Sequence, residues 1–358
     1  MPSRDELLHL IALNRIYTNR TAAAKKMIQQ FGSAELALKQ LPAEQVAEQW
    51  RFANAEMDWI EQHHLTIVPY NDTRYPHRLA TCADAPLLLF TKGNANLDGK
   101  YMVAVVGTRQ ATEHGKDMTR NFVLNLAEKL QDVTIISGLA YGIDIAAHRA
   151  AIEAKVPTII VPAHGLDRIY PTLHRNDAIR ALEYGGIVTE YASHTEPEKL
   201  NFVFRNRIIA GLADCTVVVE SRTRGGALIT ASMANAYNRP VFAFPGRPND
   251  MASEGCNNLI RNHNATLIHS ADDVIQDMQW HTHINIPTQT ELIELDDTLT
   301  DEQRNILQQL RQSENGLMIN ELLDIFPKSY GQLIETLMNM ELNGLIRSMP
   351  GGNYRAMK

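Results

Sequence analysis

VVGTRQATEHG, residues 105–115, starts as an apolar strand and passes at once into a loop of glycine, hydroxyls and arginine. An apolar run without alternation marks a strand covered on both faces, and the loop that follows it belongs to the ligand edge of a parallel sheet. Six further runs repeat the pattern: VTII (133–136), TIIV (158–161), IVTE (187–190), TVVVE (216–220), VFAF (241–244) and ATLI (265–268). Between them, TEHGKDMTRNFVLNLAEKL, IDIAAHRAAIEA, HRNDAIRALEY, FRNRIIAGLA, ALITASMANAYN and CNNLIRNHN have the length and period of crossover helices. Strands alternating with helices in this way predict an α/β fold, an extended Rossmann-like, doubly wound, mainly parallel sheet over residues 66–280.

Both flanks read differently. Residues 1–65 carry short helical periods broken at Phe31-Gly32-Ser33 and Leu41-Pro42, which predicts a small helical domain. A turn-rich connector, residues 70–90, ends in the apolar run Leu87–Phe90, a strand suited to a sheet edge. Residues 281–298 are polar and acidic and read as a linker. Over 299–358, LTDEQRNILQQL, MINELLDIF and SYGQLIETLMNMELNGLI predict three helices, and RSMPGGNYRA a hairpin around Pro350-Gly351-Gly352, together a winged helix.

Composition narrows the classes. With 44% hydrophobic and 21% charged residues and no apolar run near the ~20 residues of a membrane helix, the chain is expected to fold in water without membrane insertion. Its N-terminus shows acidic residues and no apolar signal segment, so a cytoplasmic location is expected. Cys82, Cys215 and Cys256 are too far apart for a zinc pair and odd in number, and the His281/His283 pair sits in the polar linker, so no metal is expected. A net charge of -7 counts against a generally basic surface. Yet the acids gather at Glu291, Glu294, Asp296, Asp297, Asp301 and Glu302, whereas Arg205, Arg207, Arg222, Arg224, Arg239, Arg247 and Arg261 fall in one stretch. A local basic site is therefore expected.

Three loops after strands carry candidate chemistry: Gly107-Thr108-Arg109, Ser137-Gly138, and Ser221 to Ala227 with Arg224, Gly225 and Gly226. Glycine lets an oxyanion reach backbone amides, helix N-termini add partial positive charge, and guanidinium forks match phosphate. The spacing GxGxxG is absent, which disfavours NAD or FAD, and GxxxxGK[ST] is absent, so no cofactor and no NTP hydrolysis are expected. Lys199, Phe202, Arg205 and Arg207 add cations and a ring at the same edge, the combination that grips single-stranded nucleic acid by charge and stacking. Catalysts are scarce: Ser137 and Ser221 lack a GxSxG elbow, His148 reads as a packed residue, and Glu190 and Glu220 read as arginine acceptors before bases, with Asp214 a further acceptor. The third helix of the winged helix holds Glu335 and Glu341 but no cation, with Lys328 before it and Arg347 after, which favours packing or protein binding over duplex reading.

With GTRQATEHG, SGLAYGIDIAAHRAA, GLDRIYP, RNRIIAGLADCTVVVES, RGGALITASMA, VFAFPG and GCNNLI in order, the chain resembles the DNA-processing protein A family (DprA/Smf) over about residues 65–275. The resemblance implies a sterile-alpha-motif-like N-terminal domain and a C-terminal winged helix. It implies a non-enzymatic, homodimeric protein of natural transformation that binds and protects incoming single-stranded DNA, bypasses single-strand-binding protein and loads RecA, with competence proteins as further partners. The family's phosphate loop falls on Gly107, Thr108 and Arg109, its Ser-Gly loop on Ser137 and Gly138, and its cationic stacking segment on Lys199, Phe202, Arg205 and Arg207. Val203, Phe204 and His114 depart from the family pattern. Two other readings stand beside it: a nucleotide-processing enzyme on a related sheet, for which RGGALIT is the cue, and a small-nucleotide sensor signalling through the winged helix.

Overall fold

The central strand, Tyr101–Val106 (here β3), is buried along its whole length, as its apolar run requires. The computed structural model describes residues 2–94, 96–281, 299–313, 316–326, 328–349 and 352–356. Apart from His281, the linker expected at 281–298 lies outside them, as do Pro350 and Gly351 of the hairpin turn.

Ahead of the central strand come α1 (Arg4–Ile16), α2 (Thr21–Phe31), α3 (Ala34–Leu38), α4 (Ala43–Gln62), β1 (Thr66–Pro69), α5 (His77–Ala80) and β2 (Leu88–Gly93). After it, α6 (Glu113–Lys129), β4 (Val133–Ser137), α7 (Ile143–Glu153), β5 (Thr158–Ile160), a 3-10 turn at Thr172–His174, α8 (Arg175–Tyr184) and β6 (Gly186–Thr189) build one half of the sheet. The other half is α9 (Lys199–Leu212), β7 (Cys215–Val218), α10 (Gly226–Ala236), β8 (Val241–Ala243), α11 (Glu254–Arg261), β9 (Thr266–Leu267) and α12 (Ala271–Asp277). The strand order is β1-β2-β6-β5-β4-β3-β7-β8-β9. All neighbours from β6 to β9 run parallel, and β2 lies antiparallel to β6. This is the doubly wound sheet that the seven apolar runs predicted; the run Leu87–Phe90, expected at a sheet edge, supplies β2, one strand in from the edge.

One strand was not expected. β1 pairs Ile67 with Phe90 and Val68 with Leu89, and it closes the sheet edge, where Pro69 does no harm to a ladder. Its four residues are too few to show a period, and tertiary packing alone selects it. The N-terminal helices bury Leu10, Ile11, Leu13, Ala53, Met57 and Ile60 against Leu87, Leu88 and Phe90 of this edge. Polar clamps fix the junction: the buried Glu56 carboxylate accepts from the backbone N–H of Ser193 at 2.8 Å and from its hydroxyl, and Asn14 donates to the Glu190 carbonyl at 3.3 Å. Helices and sheet thus form one compact unit, with the chain dividing near residue 283.

The second unit contains α13 (Asp301–Gln312), β10 (Leu317–Met318), α14 (Ile319–Ile325), α15 (Tyr330–Leu342), β11 (Ile346–Met349) and β12 (Asn353–Ala356). Ile306, Leu310, Leu322, Leu333, Leu337 and Met340 form its core, and its strands order as β10-β12-β11. Lys328, the cation ahead of the third helix, is taken up by Glu302 at 2.5 Å.

Glu56 gives a test of the junction. Glu56→Ala leaves the Ser193 N–H and hydroxyl buried without an acceptor, and should lower stability by about 1–3 kcal/mol. Urea unfolding should then show a lower midpoint at an unchanged m-value; an unchanged midpoint would remove the clamp from the account.

Candidate nucleic-acid interface

In a parallel sheet the strands β3 and β7 lie side by side while their outgoing connections run in opposite directions, so the crevice between their carboxyl ends is the expected ligand position. Here the protein fills it. Thr108 N–H donates to the Glu220 carbonyl at 2.7 Å, and the buried Glu220 carboxylate accepts from Thr112 N–H at 2.9 Å and its hydroxyl at 2.5 Å. Thr112 in turn caps α6 by accepting from Gly115 N–H at 3.0 Å. A Cβ at Gly115 would sit 2.3–2.7 Å from the Glu220 carboxyl, so only glycine admits this plug. Glu220, expected to receive an arginine, receives the start of α6 instead.

The second loop is also closed on itself. Ser137 is fully buried and its hydroxyl donates to the Val105 carbonyl at 2.6 Å. Gly138 and Ala140 aim their N–H groups at the Asp144 carboxylate, at 3.2 and 3.4 Å. Burial pushes the Asp144 carboxyl up, opposed by the Arg205 charge. The expectation that Ser137 and Gly138 offer free donors to an anion is corrected: these groups hold the loop and the first turn of α7.

The third correction concerns α9. It begins at Lys199, well before the FRNRIIAGLA run, so Lys199, Phe202, Arg205 and Arg207 share one helix. Helical spacing puts 199, 202, 203 and 206 on one side and buries Asn201, Arg205, Arg207 and Ile208. Arg205 is buried, donating from Nη1 to the Gly138 carbonyl at 2.9 Å and to the Val161 carbonyl. Burial pulls its pKa down to about 10, with the Asp144 charge opposing. A Cβ at Gly138 would lie 2.1–2.6 Å from that guanidinium. Arg207 is buried too and pairs with Glu190 at 2.5 Å, as expected of Glu190. Neither guanidinium faces solvent, because carbonyls and a carboxylate inside the fold claim both. Asp214 serves Arg78 at 2.6 Å.

What remains on the rim is compact. The exposed Arg109 guanidinium stands over the Phe202 ring at 4.8 Å, while Arg205 lies 5.9 Å from the same ring. The Tyr170 ring is 6.0 Å from Phe202, tilted by 59°, and 44% exposed. The Tyr170 backbone N–H donates to His164 Nε2 at 3.1 Å, which fixes its loop. Tyr170 was missed from sequence, although it stands in GLDRIYP, one loop along the same edge. Lys199 is exposed at the start of α9. Asn206, on the same helix, donates to the Gly226 carbonyl at 3.4 Å and ties α9 to the third loop. There Arg222 and Arg224 are exposed, Gly225 caps α10 without a side-chain acceptor for the first-turn amides, and nothing stands within 4 Å of a Cβ built at Gly226. Those amides carry the positive end of the helix dipole. Arg109, Lys199, Arg222 and Arg224 form no ion pair among the described residues. Gly107 and Thr108 are half-buried and carry the backbone from β3 to Arg109.

The family model described as DNA recombination-mediator protein A matches residues 66–279. The chain belongs to that family. Protein Smf of Escherichia coli K12 is 33% identical over 312 residues, spanning 83% of this chain and 79% of that protein. The crystal structure of DprA from Streptococcus pneumoniae matches with a TM-score of 0.61 at 33% identity, covering 76% of this chain and 92% of that one. DprA from Helicobacter pylori, solved for its single-stranded DNA binding mode, matches with a TM-score of 0.54 at 29% identity, covering 61% of this chain and 97% of that one. Among the described residues no helix is long and apolar enough to cross a membrane.

Arg205→Met should destabilise the protein by roughly 2–4 kcal/mol, because two carbonyls lose their donor and Asp144 its countercharge, whereas Arg109→Ala should leave the melting temperature unchanged. Equal melting of the two variants would contradict the buried role. His148 is fully buried against Thr158 Oγ1 at 2.7 Å, and burial pushes its pKa down to about 3. The unfolded chain takes up this proton near pH ~6.5 and the folded one does not, so stability is full above that pH. It falls as pH drops toward about 3, by up to ~1.4 kcal/mol per unit from this group. The stability gap between the native protein and His148→Gln in urea should therefore shrink from pH 7 to pH 5; a constant gap would show the histidine titrating alike in both states.

Proposed function

We propose that the chain binds single-stranded DNA across the carboxyl rim of its sheet and acts as a recombination mediator. One observation carries the reading: Arg109, Phe202 and Tyr170 meet at one point of the rim, with Lys199 on the same helix and the open start of α10 beside it. Membership of the recombination-mediator family and the single-stranded DNA binding of the Helicobacter relative support it. The chemistry is that of a flexible strand: cations meet phosphates, and the half-buried Phe202 ring, with the Arg109 guanidinium over it and the exposed Tyr170 ring beside it, offers a stacking platform for a base. Gly107 and Thr108 position Arg109, while Gly225, Gly226 and Arg224 supply amides and charge to a second phosphate. Ser137, Gly138, Arg205 and Arg207 act behind this surface as its support.

On this reading the protein works as a homodimer in the cytoplasm, shields incoming strands during natural transformation, and hands them from single-strand-binding protein to RecA. The alternative of a nucleotide-processing enzyme is disfavoured because Glu220, the carboxylate between β7 and the RGGALIT loop, is bonded to Thr112.

Binding should be tested with an oligothymidylate by fluorescence anisotropy against a duplex of equal length. Phe202→Ala should weaken the single strand by about 1–3 kcal/mol, and Arg109→Ala should also reduce the slope of log affinity against log salt by about 0.7. Wild-type affinity and slope in both variants would overturn the site. Handover should appear as an earlier onset of RecA ATP hydrolysis on strands coated with single-strand-binding protein, lost in Arg109→Ala; no change of onset with the native protein would remove the mediator role.

A further inference from the structure

Beyond the end of β8 an open groove is lined by Thr112, His114, Pro245, Gly246, Arg247 and Asn249. The proposed rim does not include it. Its wall is rigid: the side-chain amide of Asn257 clamps the Gly246 peptide from both sides, accepting from its N–H at 3.0 Å and donating to its carbonyl at 3.1 Å. Arg247 is exposed and forms no ion pair among the described residues. The acid in the groove, Asp250, is spent on its own turn, accepting from Ala252 N–H at 3.0 Å and the Ser253 hydroxyl at 3.3 Å. The groove therefore presents a cation, an amide side chain and an imidazole to solvent, with its carboxylate directed into the loop.

Position gives the groove its meaning. β3, β7 and β8 are consecutive neighbours, so the loops bearing Arg109, Arg222 with Arg224, and Arg247 succeed one another along the same rim. With strands about 4.8 Å apart, the outer two loops leave the sheet roughly 10 Å from each other. We propose that this groove is a further phosphate subsite, in which Arg247 takes a backbone phosphate of the same nucleic-acid strand whose base rests on Phe202, extending the track past α10. The inference rests on the rim reading above and adds a direction to it: the strand crosses the sheet from β5 toward β8.

Arg247→Ala, Arg247→Lys and Arg109→Ala should be compared with the native protein on an oligothymidylate of about 20 nucleotides across a salt series. Arg247→Ala is expected to bind about fivefold more weakly, with the salt slope reduced by about 0.7, and Arg247→Lys to recover most of both. Native affinity and slope in Arg247→Ala would overturn the subsite, whatever Arg109→Ala does. Loss in Arg247→Ala with none in Arg109→Ala or Phe202→Ala would keep the groove as a phosphate site and sink the rim reading instead. A control with inorganic phosphate and thymidine monophosphate separates the two sources of phosphate. Competition by either at low millimolar concentration, abolished in Arg247→Ala while its oligonucleotide binding stays native, would make the groove a small-anion site and overturn its place on the track.

Discussion

A guanidinium with no access to water organises the rim. Burying a cation is costly unless hydrogen bonds and an opposite charge replace its hydration. Arg205 Nη1 is held by carbonyls from the ends of two different strands, Gly138 after β4 and Val161 after β5, and the nearby Asp144 charge opposes the cost of burial, while its Nε is buried without a partner. The bonds lock the first turns of α9 onto the sheet. Phe202 sits three residues ahead of Arg205, so its ring is delivered to a fixed place above the loops, where Arg109 covers it. Without the buried cation the start of α9 would be an exposed helix end beginning with a lysine, the wrong charge for that end of the dipole.

The same economy of partners explains how an acidic chain keeps a basic edge. Glu190 is committed to Arg207, Glu220 to Thr112, Asp144 to two amides and Asp250 to its own turn. These four carboxylates are taken up inside the fold, whereas Arg109, Lys199, Arg222, Arg224 and Arg247 are exposed. Screening limits the reach of distant acids to about 8–10 Å at ordinary salt, so the net charge of -7 says little about the field felt at that edge.

The sheet was readable in the sequence because both-face burial writes itself as unbroken apolar runs, and the crossover helices carried their own period. The site was readable in part. Glycines, hydroxyls and arginines at strand ends pointed to the carboxyl edge of the sheet, but the same residue types satisfy internal amides and carbonyls as readily as they bind anions. Ser137 and Gly138 bond inward for that reason. Arg205 and Arg207 looked like ligands since a sequence shows charge but not the carbonyls and the Glu190 carboxylate waiting across the fold. The early start of α9 was hidden by the mixed KLNFVF stretch, and Tyr170 lacked any local signal beyond its neighbours in GLDRIYP.

The Glu220 plug has a topological consequence. Most doubly wound sheets admit a small ligand end-on, into a slot between diverging loops. With that slot occupied by a carboxylate and a threonine, the surface left open is the edge itself, and an edge has no entrance through which a polymer need be threaded. A long chain can be laid on it sideways at any internal point and lifted off again, without a free terminus ever being found.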